Sequence, residues 1–510
     1  MLDRTKAPLL EMLQKMAQRP HAPFYAPGHK RGQGIAPELK TWLGAAMFQG
    51  DLPELPELDN LFAPQGVIQA AQELAAQAFG AEESWFLVNG STGGIIAAIL
   101  ATCRPGEKII LPRNIHQSVI SGLILSGAMP IFLSPEYDPD WDLAYSISAA
   151  AVAQALAKHP DAKAVMMVYP TYHGVCGDVA EIAAITHQYQ IPLLVDEAHG
   201  AHFAFHPDLP SSALAAGADL TVQSIHKVLG AMNQASMLHV QGSLLDRDRL
   251  NRLNQTLQMV QSSSPSYLLL ASLDAARRQM AVAGTAKMTQ TLELAADARA
   301  RIAKIPGLSV LEAPTMPSPG CCGFDPTRLT VRTTGLGLTG YEADEILHEQ
   351  LGVTAELPGL RHLTFIISLG NTTADIDRLV AGWRRLSADR PPKSPKIGGL
   401  ENQIPVPPIL GGLRGQNHQL RGVAPKVDIM PMMTPREAFF APVETLPIEA
   451  SVGYISAELV CPYPPGIPVL MPGEAIDSSC LELLAQILAN GGTITGCSDP
   501  ELKTIKVVRN

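Results

Sequence analysis

A chain of 510 residues, with 46% hydrophobic and 17% charged side chains, is too long for a single hydrophobic core. We therefore expect two or three domains. The net charge of −10, without any long basic stretch, argues against a general binder of nucleic-acid phosphates. The sequence contains no run of about 18 apolar residues, so it predicts no membrane span. The charged N-terminus does not resemble a signal peptide.

The seven cysteines are scattered and include no C-x-x-C pair. Such a pattern favours reduced thiols over a disulfide framework or a zinc site, and it is typical of a cytoplasmic protein.

The first predicted region is an N-terminal helix and arm, residues 1–69. Apolar residues at helical spacing between Leu9 and Met16 predict a short amphipathic helix. Prolines and a glycine between Pro20 and Gly28 then predict an extended arm.

The next region, residues 70–300, alternates short apolar runs with helical stretches such as Gly93–Cys103. This alternation predicts an α/β domain with a mostly parallel sheet and helices on both faces. The predicted strands are Ser84–Val88, Lys108–Leu111, Met129–Leu133, Ala164–Val168, Leu193–Val195, Leu220–Gln223 and Ser236–Val240.

Three further regions follow. Residues 301–388 form a predicted small α/β domain, residues 389–434 a linker rich in proline and glycine, and residues 435–510 a C-terminal α+β domain. The predicted elements in these regions are strands near Arg328–Thr333 and Leu363–Ser368 and helices at Tyr341–Leu351, Thr373–Leu386 and Ser478–Ala489.

Two residues at the ends of apolar runs carry the main chemical signal. Asp196 ends the run Ile191–Val195, and Lys227 ends the sequence SIHK after another run. Pyridoxal phosphate needs a lysine that forms an imine with its aldehyde and a carboxylate that keeps its pyridine nitrogen protonated. The pair therefore predicts this cofactor.

A turn of small residues offers a phosphate site. Gly90, Ser91 and Thr92 follow a predicted strand and open an apolar helix, where backbone N–H groups and hydroxyls can bind an anion. An ordinary helix N-cap is the alternative, and the Gly-Lys-Ser/Thr ending of a Walker motif is missing. Ser224 and His226, beside Lys227, offer further phosphate donors.

Three histidines admit more than one interpretation. His116 follows a strand and begins a helical segment, so its imidazole could stack on the pyridine ring or bond locally. Asp196, His199 and His202 recur every three residues and could bind a metal. A metal would leave Lys227 unexplained, and Gly200 weakens any helix there, so we favour the cofactor and expect no metal.

Five segments, given below in chain order, resemble segments of the ornithine/lysine/arginine decarboxylases of the aspartate-aminotransferase fold. A sixth, Ile455–Glu474, is similar to the signature of that family's C-terminal domain, and the resemblance runs from about Pro8 to Lys506. The five segments are FYAPGHKRGQG (Phe24–Gly34), NGSTGG (Asn89–Gly94), RNIHQS (Arg113–Ser118), DEAHGAH (Asp196–His202) and SIHK (Ser224–Lys227).

The resemblance implies roles for individual residues. Lys227 is expected to be the Schiff-base lysine, Asp196 the partner of the pyridine nitrogen, and His116 the residue stacked on the ring. Ser91, Thr92, Ser224 and His226 are expected around the phosphate, with Gly90 in the same turn and His199 against the ring. Longer family members carry a bulkier aromatic residue at the position of His199.

The resemblance also implies an assembly. Ser263 and Ser264 match a family segment that reaches the phosphate of the partner subunit, which predicts a homodimer with shared active sites. The long apolar N-terminal arm would also need a surface to cover it. Longer family members have an N-terminal wing domain that this chain lacks, which argues against a wing-assembled decamer.

The predicted activity is decarboxylation of arginine, lysine or ornithine to the amine and CO2, as in polyamine biosynthesis. An aminotransferase- or aldolase-type enzyme of the same fold is the alternative, and a non-catalytic relative is another. Phe365–Gly370 lacks the carboxylate-binding arginine common in aminotransferases, which favours decarboxylation. Glu458 is the candidate for binding the substrate's distal cation, with a structural ion pair as the alternative.

Overall fold

The computed structural model of the protein describes residues 3–314, 316–390 and 430–509. Most of the predicted linker, residues 389–434, lies outside the described residues. The chain divides into two units, Met1–Ala101 with Leu194–Thr289, and Thr102–Leu193 with Gln290–Asn510. Among the described residues, no helix combines the length and apolar character that crossing a bilayer requires.

Helices and strands are numbered here in chain order. The helices are α1 Pro8–Gln18, α2 Pro37–Leu43, α3 Ala45–Gly50, α4 Val67–Phe79, α5 Gly90–Thr102, α6 Gln117–Ser126, α7 Ala149–Lys158, α8 Val179–Gln188, α9 Ile225–Val228, α10 Arg247–Val260, α11 Tyr267–Ile302, α12 Gly340–Leu351, α13 Thr373–Asp389, α14 Pro435–Phe440 and α15 Ser478–Ala489. The strands are β1 Glu83–Leu87, β2 Lys108–Pro112, β3 Met129–Leu133, β4 Tyr137–Asp138, β5 Leu143–Ala144, β6 Ala164–Val168, β7 Val175–Cys176, β8 Leu193–Asp196, β9 Leu220–Gln223, β10 Ser236–Val240, β11 Ser309–Val310, β12 Gly323–Phe324, β13 Arg328–Arg332, β14 Leu357–Pro358, β15 His362–Ile366, β16 Val443–Pro447, β17 Cys461–Tyr463, β18 Thr493–Thr495 and β19 Thr504–Val508.

These elements confirm the predicted α/β fold, with boundaries that differ by a few residues. The helix predicted at Gly93–Cys103 begins earlier, at Gly90, and ends at Thr102. The strand predicted near Leu363–Ser368 spans His362–Ile366, so it begins one residue earlier and ends two residues earlier.

In the first unit, three strands end at one edge. Strand β8 pairs in parallel with β9, with Asp196 opposite Val222. Strand β10 is antiparallel to both β9 and β1, so β1 runs in the same direction as β9. The carboxyl ends of β1, β8 and β9 therefore point the same way, and the residues that follow them meet at a common edge.

In the second unit, β2 pairs in parallel with both β3 and β6. The segments that follow β2 and β6 therefore also leave from one edge. A separate antiparallel sheet, in the order β11-β13-β15-β14, packs its apolar face with Trp383 of α13 in a buried core. Two antiparallel pairs, β16–β19 and β17–β18, lie in the C-terminal region with α14 and α15.

The apolar face of α1 is covered within its own chain. Leu9, Leu13 and Met16 are buried, and the carboxylate of Asp274 accepts the Leu9 N–H at 3.0 Å. Arg277 forms a completely buried ion pair with Asp274. The apolar face of this helix therefore has neighbours within its own chain, in α11 and α4, and the expectation that a second copy covers the N-terminal arm stays a prediction.

Candidate active site

The carboxyl edge of the first unit holds the predicted lysine and aspartate. Lys227 lies in the single-turn helix α9, directly after β9, and its Nζ is 3.0 Å from Nε2 of His199. Asp196 ends β8 with only 6% of its surface exposed, and its Oδ1 accepts the N–H of Ala198 at 3.2 Å. The parallel pairing of β8 with β9 brings these residues to one edge.

Burial and charge act in opposite directions on Asp196. Removal from water raises the pKa of its carboxyl group, whereas the cation of Lys227 and the N–H of Ala198 lower it. A buried carboxyl group of this kind favours a positively charged partner nearby, since an unpaired charge in such a place would be unstable. A protonated pyridine nitrogen meets this requirement.

The turn after β1 supplies hydroxyl and backbone donors at the same edge. Ser224 donates its hydroxyl to Oγ of Ser91 at 2.8 Å, which joins the segment after β9 to the start of α5. A Cβ atom on Gly94 would lie 2.7 Å from side-chain atoms of both Leu87 and Val222. Glycine at this position therefore allows α5 to start close against the strands. Thr92 is exposed in the first turn of α5.

His226 is held by the backbone. Its Nδ1 lies 3.0 Å from the carbonyl oxygen of Ala235, and since a carbonyl can only accept, Nδ1 carries the proton. This contact fixes the plane of the imidazole ring beside Ser224. The predicted role of His226 at a phosphate stays a prediction.

Sequence reasoning missed Glu197, which is completely buried next to Asp196. Its Oε1 accepts the N–H of Ala213 at 2.7 Å, and its Oε2 accepts an N–H of the Gln223 side chain at 2.8 Å. Burial raises the pKa of Glu197 to about 8, although both hydrogen bonds act to lower it. Glu197 thus connects the end of β8 to the end of β9. A second acidic residue directly after a buried strand was the available signal.

His116 belongs to the second unit, where it is the N-cap of α6. Its Nδ1 accepts the N–H of Ser118 at 3.2 Å and lies 2.9 Å from the hydroxyl of that serine. The local bonding that the sequence left open is therefore present. Stacking of His116 on a cofactor ring stays a prediction.

The family-like segment Ile455–Glu474 docks on the carboxyl edge of the second unit. Arg113 binds the carboxylate of Glu474 through two nitrogens, at 3.1 and 2.9 Å. The Gln117 N–H donates to the Gly466 carbonyl at 3.0 Å. A Cβ atom on Gly466 would lie 3.1 Å from Nε2 of His116, so this glycine, at φ +89°, allows the turn to approach the imidazole.

Glu458 has both carboxylate oxygens engaged within the C-terminal region. They accept the N–H groups of Ser498 at 2.8 Å and of Lys506 at 2.9 Å, and the side chain is 8% exposed. These contacts favour the structural alternative over binding of the substrate's distal cation. Ser263 and Ser264 are exposed between α10 and α11, and their predicted reach to a partner stays a prediction.

The first-unit edge fits pyridoxal phosphate. Lys227 supplies an amine, Asp196 a buried carboxyl group, and Ser91 and Ser224 a hydroxyl pair at a helix start. Within the ranges that the structure describes, no group of three or more histidine, cysteine, aspartate or glutamate side chains could hold a metal ion. Instead, His199 contacts Lys227.

Comparisons with known proteins agree with this geometry. The family model described as the Orn/Lys/Arg decarboxylase major domain matches residues 7–375, and the model of the C-terminal domain matches residues 416–493. The chain is 37% identical over 508 residues to an arginine decarboxylase of Bacillus subtilis, covering 100% of this chain and 99% of the relative.

Solved structures show the same fold. Lysine decarboxylase A from Pseudomonas aeruginosa superimposes with a TM-score of 0.79 at 23% identity, covering 98% of this chain and 80% of that one. A ureidoglycine-glyoxylate aminotransferase from Bacillus subtilis gives a TM-score of 0.52 at 15% identity, covering 64% of this chain and 87% of that one. The fold is thus the aspartate-aminotransferase-like fold of pyridoxal-phosphate enzymes, and the chain belongs to the Orn/Lys/Arg decarboxylase family.

Proposed function

We propose that this protein is a pyridoxal-phosphate-dependent decarboxylase of a basic amino acid, with arginine as the first candidate substrate. The observation that carries the chemistry is the placement of Lys227 and buried Asp196 at the ends of two neighbouring parallel strands, where burial raises the pKa of Asp196 and the charge of Lys227 acts to lower it. The choice of arginine rests on the full-length similarity to an arginine decarboxylase of Bacillus subtilis.

The chain's own residues supply attachment, protonation and position. Bound pyridoxal phosphate accepts the electron pair that remains on Cα when CO2 leaves. Asp196 would hold a proton on the pyridine nitrogen, and Ser91, Ser224 and the start of α5 would bind the phosphate. Lys227 would attach the cofactor and, after CO2 has left, return a proton to Cα.

His199 assists Lys227 in this proposal. Its Nε2 lies 3.0 Å from Nζ of Lys227, within hydrogen-bond distance. A neutral imidazole there can accept an N–H of the lysine, so it can hold the amine in position and take up a proton from it.

The deciding assay offers arginine, lysine and ornithine separately to the purified protein with pyridoxal phosphate. We expect release of CO2 and of the matching amine in equal amounts, with arginine giving the largest kcat/KM. Lys227→Ala is the matched control. A keto acid with no CO2 would identify an aminotransferase and contradict the proposal.

We further propose a homodimer with shared active sites. Support comes from the exposed serines 263 and 264 and from apolar side chains on the N-terminal arm, where Phe24 is 95% and Trp42 is 80% exposed. A second copy of the chain would remove this apolar surface from water. Light scattering should give twice the chain mass, and Trp42→Asp should weaken the dimer. A fully active monomer would contradict this assembly.

A cytoplasmic location and a role in polyamine biosynthesis complete the proposal. None of the seven cysteines forms a disulfide in the described part of the chain, which is typical of a reducing compartment. The division into an arm (1–69), a large domain (70–300), a small domain (301–388), a linker (389–434) and a C-terminal domain (435–510) remains our proposal. Limited proteolysis should cut first within residues 389–434.

A further inference from the structure

A groove of about 540 Å³ lies within the first unit, along strand β1. Residues of α4 and of the loop before it line one part of the groove, and residues of α10 line another. A volume of this size is within the range of small-molecule sites, which are concave and carry a few fixed polar groups.

The groove is separate from the edge that holds Lys227. Ser84 lines the groove and lies opposite His239, and His239 lies opposite Thr221, near the amino end of β9. Lys227 follows the carboxyl end of that same strand. The described wall of the groove includes none of the residues assigned to the cofactor.

One buried amide in the wall lacks a partner. Gln72 of α4 is only 7% exposed, and within the described part of the chain its Nε2 has no hydrogen-bond acceptor. A buried donor without an acceptor is unfavourable. Rotation about the last side-chain torsion, which is broad for glutamine, would present the N–H and the carbonyl oxygen to a molecule in the groove. The groove therefore suits a ligand that carries an acceptor and a donor side by side.

Two aromatic side chains supply ring surface. Phe62 precedes α4 and Trp85 lies in β1, and both are half-buried in the wall. The indole N–H of Trp85 donates to Oδ1 of Asn254 at 2.7 Å. Because this polar atom already has its partner, Trp85 offers the groove a ring rather than a donor. Aromatic rings of this kind bind planar bases by stacking.

Three acidic side chains restrict what else the ligand can carry. Glu73, Glu82 and Glu83 line the groove and are exposed, and the described wall contains no lysine or arginine. A phosphate group would be repelled there, whereas sugar hydroxyls can donate to the carboxylates. An alkylammonium ion would be attracted, but it has no acceptor for the N–H of Gln72.

We propose that this groove binds a nucleoside that carries no phosphate, with adenosine as the best match. The adenine edge has an N–H donor beside a ring-nitrogen acceptor, and a glutamine amide contacts both through two hydrogen bonds. The base stacks on the aromatic side chains, and the ribose hydroxyls donate to the carboxylates of the wall. This binding depends neither on the cofactor nor on the proposed decarboxylase activity.

Adenosine, AMP and spermidine are the three probes. Calorimetric titration of the purified protein, saturated with pyridoxal phosphate, should give one adenosine site per chain with a Kd on the order of 0.1 mM. The visible absorbance of the cofactor should not change. AMP should bind roughly tenfold more weakly or less, because its phosphate meets the acidic wall. Spermidine, a cation without a base, tests the alternative ligand class.

Gln72→Leu tests the amide. Leucine has a similar size and lacks both polar atoms, so the affinity for adenosine should fall roughly tenfold. The melting temperature should not fall below that of the wild type, because the amide donor has no partner in the free protein. Trp85→Leu should weaken binding to a similar extent. Gln77→Leu, at an exposed position of α4 outside the wall, is the matched control and should change nothing.

Four results would overturn the proposal. The first is a wild-type protein that binds no adenosine, including one that binds spermidine instead. The second is equal affinity for adenosine in Gln72→Leu and Gln77→Leu, and the third is AMP bound as tightly as adenosine. The fourth is a change in cofactor absorbance on adenosine binding, which would place the ligand at the Lys227 edge.

Discussion

The two strand edges satisfy their polar residues in different ways. At the first-unit edge, Lys227 lies against the His199 side chain and Glu197 accepts from the Gln223 side chain, while backbone N–H groups donate to Asp196 and Glu197. At the second-unit edge, Arg113 binds a carboxylate and also two backbone carbonyls of the C-terminal segment.

This difference indicates that the two edges have different roles. Side chains that hold each other can fix a proton or a charge at one atom, as catalysis requires. Donors directed at backbone carbonyls instead fix one segment on another, whatever side chains that segment carries. We therefore expect substitutions at the first edge to alter chemistry first, and substitutions at the second edge to alter stability first.

The largest expected effect is that of Lys227→Ala. Turnover should fall to background because Asp196, the other residue of the pair, cannot attach the cofactor. The melting temperature should stay within a few degrees of the wild type. Borohydride reduction followed by mass spectrometry should find the cofactor attached only in the wild-type chain. Turnover within about tenfold of wild type would contradict the role of Lys227.

Asp196→Asn should have the next largest effect. The amide keeps the size of the side chain and an acceptor for the Ala198 N–H, but it cannot hold a proton on the pyridine nitrogen. We expect kcat to fall roughly 100-fold with the cofactor still attached. Release of a stoichiometric metal from this variant, with catalysis intact, would instead support the metal interpretation.

Arg113→Lys tests the second edge. A lysine cannot form the two-pronged contact with Glu474 or reach both the Pro468 and Val469 carbonyls at once. We expect unfolding in urea to show a loss of about 1–3 kcal/mol, with little change in the visible spectrum of the cofactor. A large loss of activity without a loss of stability would contradict the expected difference between the two edges.

The sequence predicted the strands and the Lys227–Asp196 pair because both depend on local pattern and on a parallel pairing rule. It could not predict contacts that depend on distant segments. Glu458 accepts the N–H groups of Ser498 and Lys506, contacts to segments 40 and 48 positions away, and its role toward a substrate stays a prediction. In the same way, the apolar face of α1 is covered by its own chain through a contact to Asp274, 265 positions away from Leu9.

Substitution of Glu197 should have the smallest effect of these variants, and it is the effect that depends most on pH. Its pKa is raised to about 8 by burial, above the ordinary value of 4.5, so the folded state binds a proton that the unfolded state has lost between these two pH values. Stability should therefore decrease as pH rises from 5 to 8 and then level off. The side chain in Glu197→Gln cannot ionise. The side-chain oxygen of Gln223 lacks a hydrogen-bond partner among the described residues. If the Gln223 amide turns over, this oxygen accepts an N–H of the new glutamine. The variant should lose this pH dependence and gain a few degrees in melting temperature at pH 8, with kcat reduced less than in Asp196→Asn. Melting temperatures of both proteins, measured at pH 5, 6.5, 8 and 9, would show this. If the melting temperatures of the two proteins change with pH in parallel, Glu197 is ionised throughout the range. Its contacts with Gln223 and Ala213 are then those of a carboxylate.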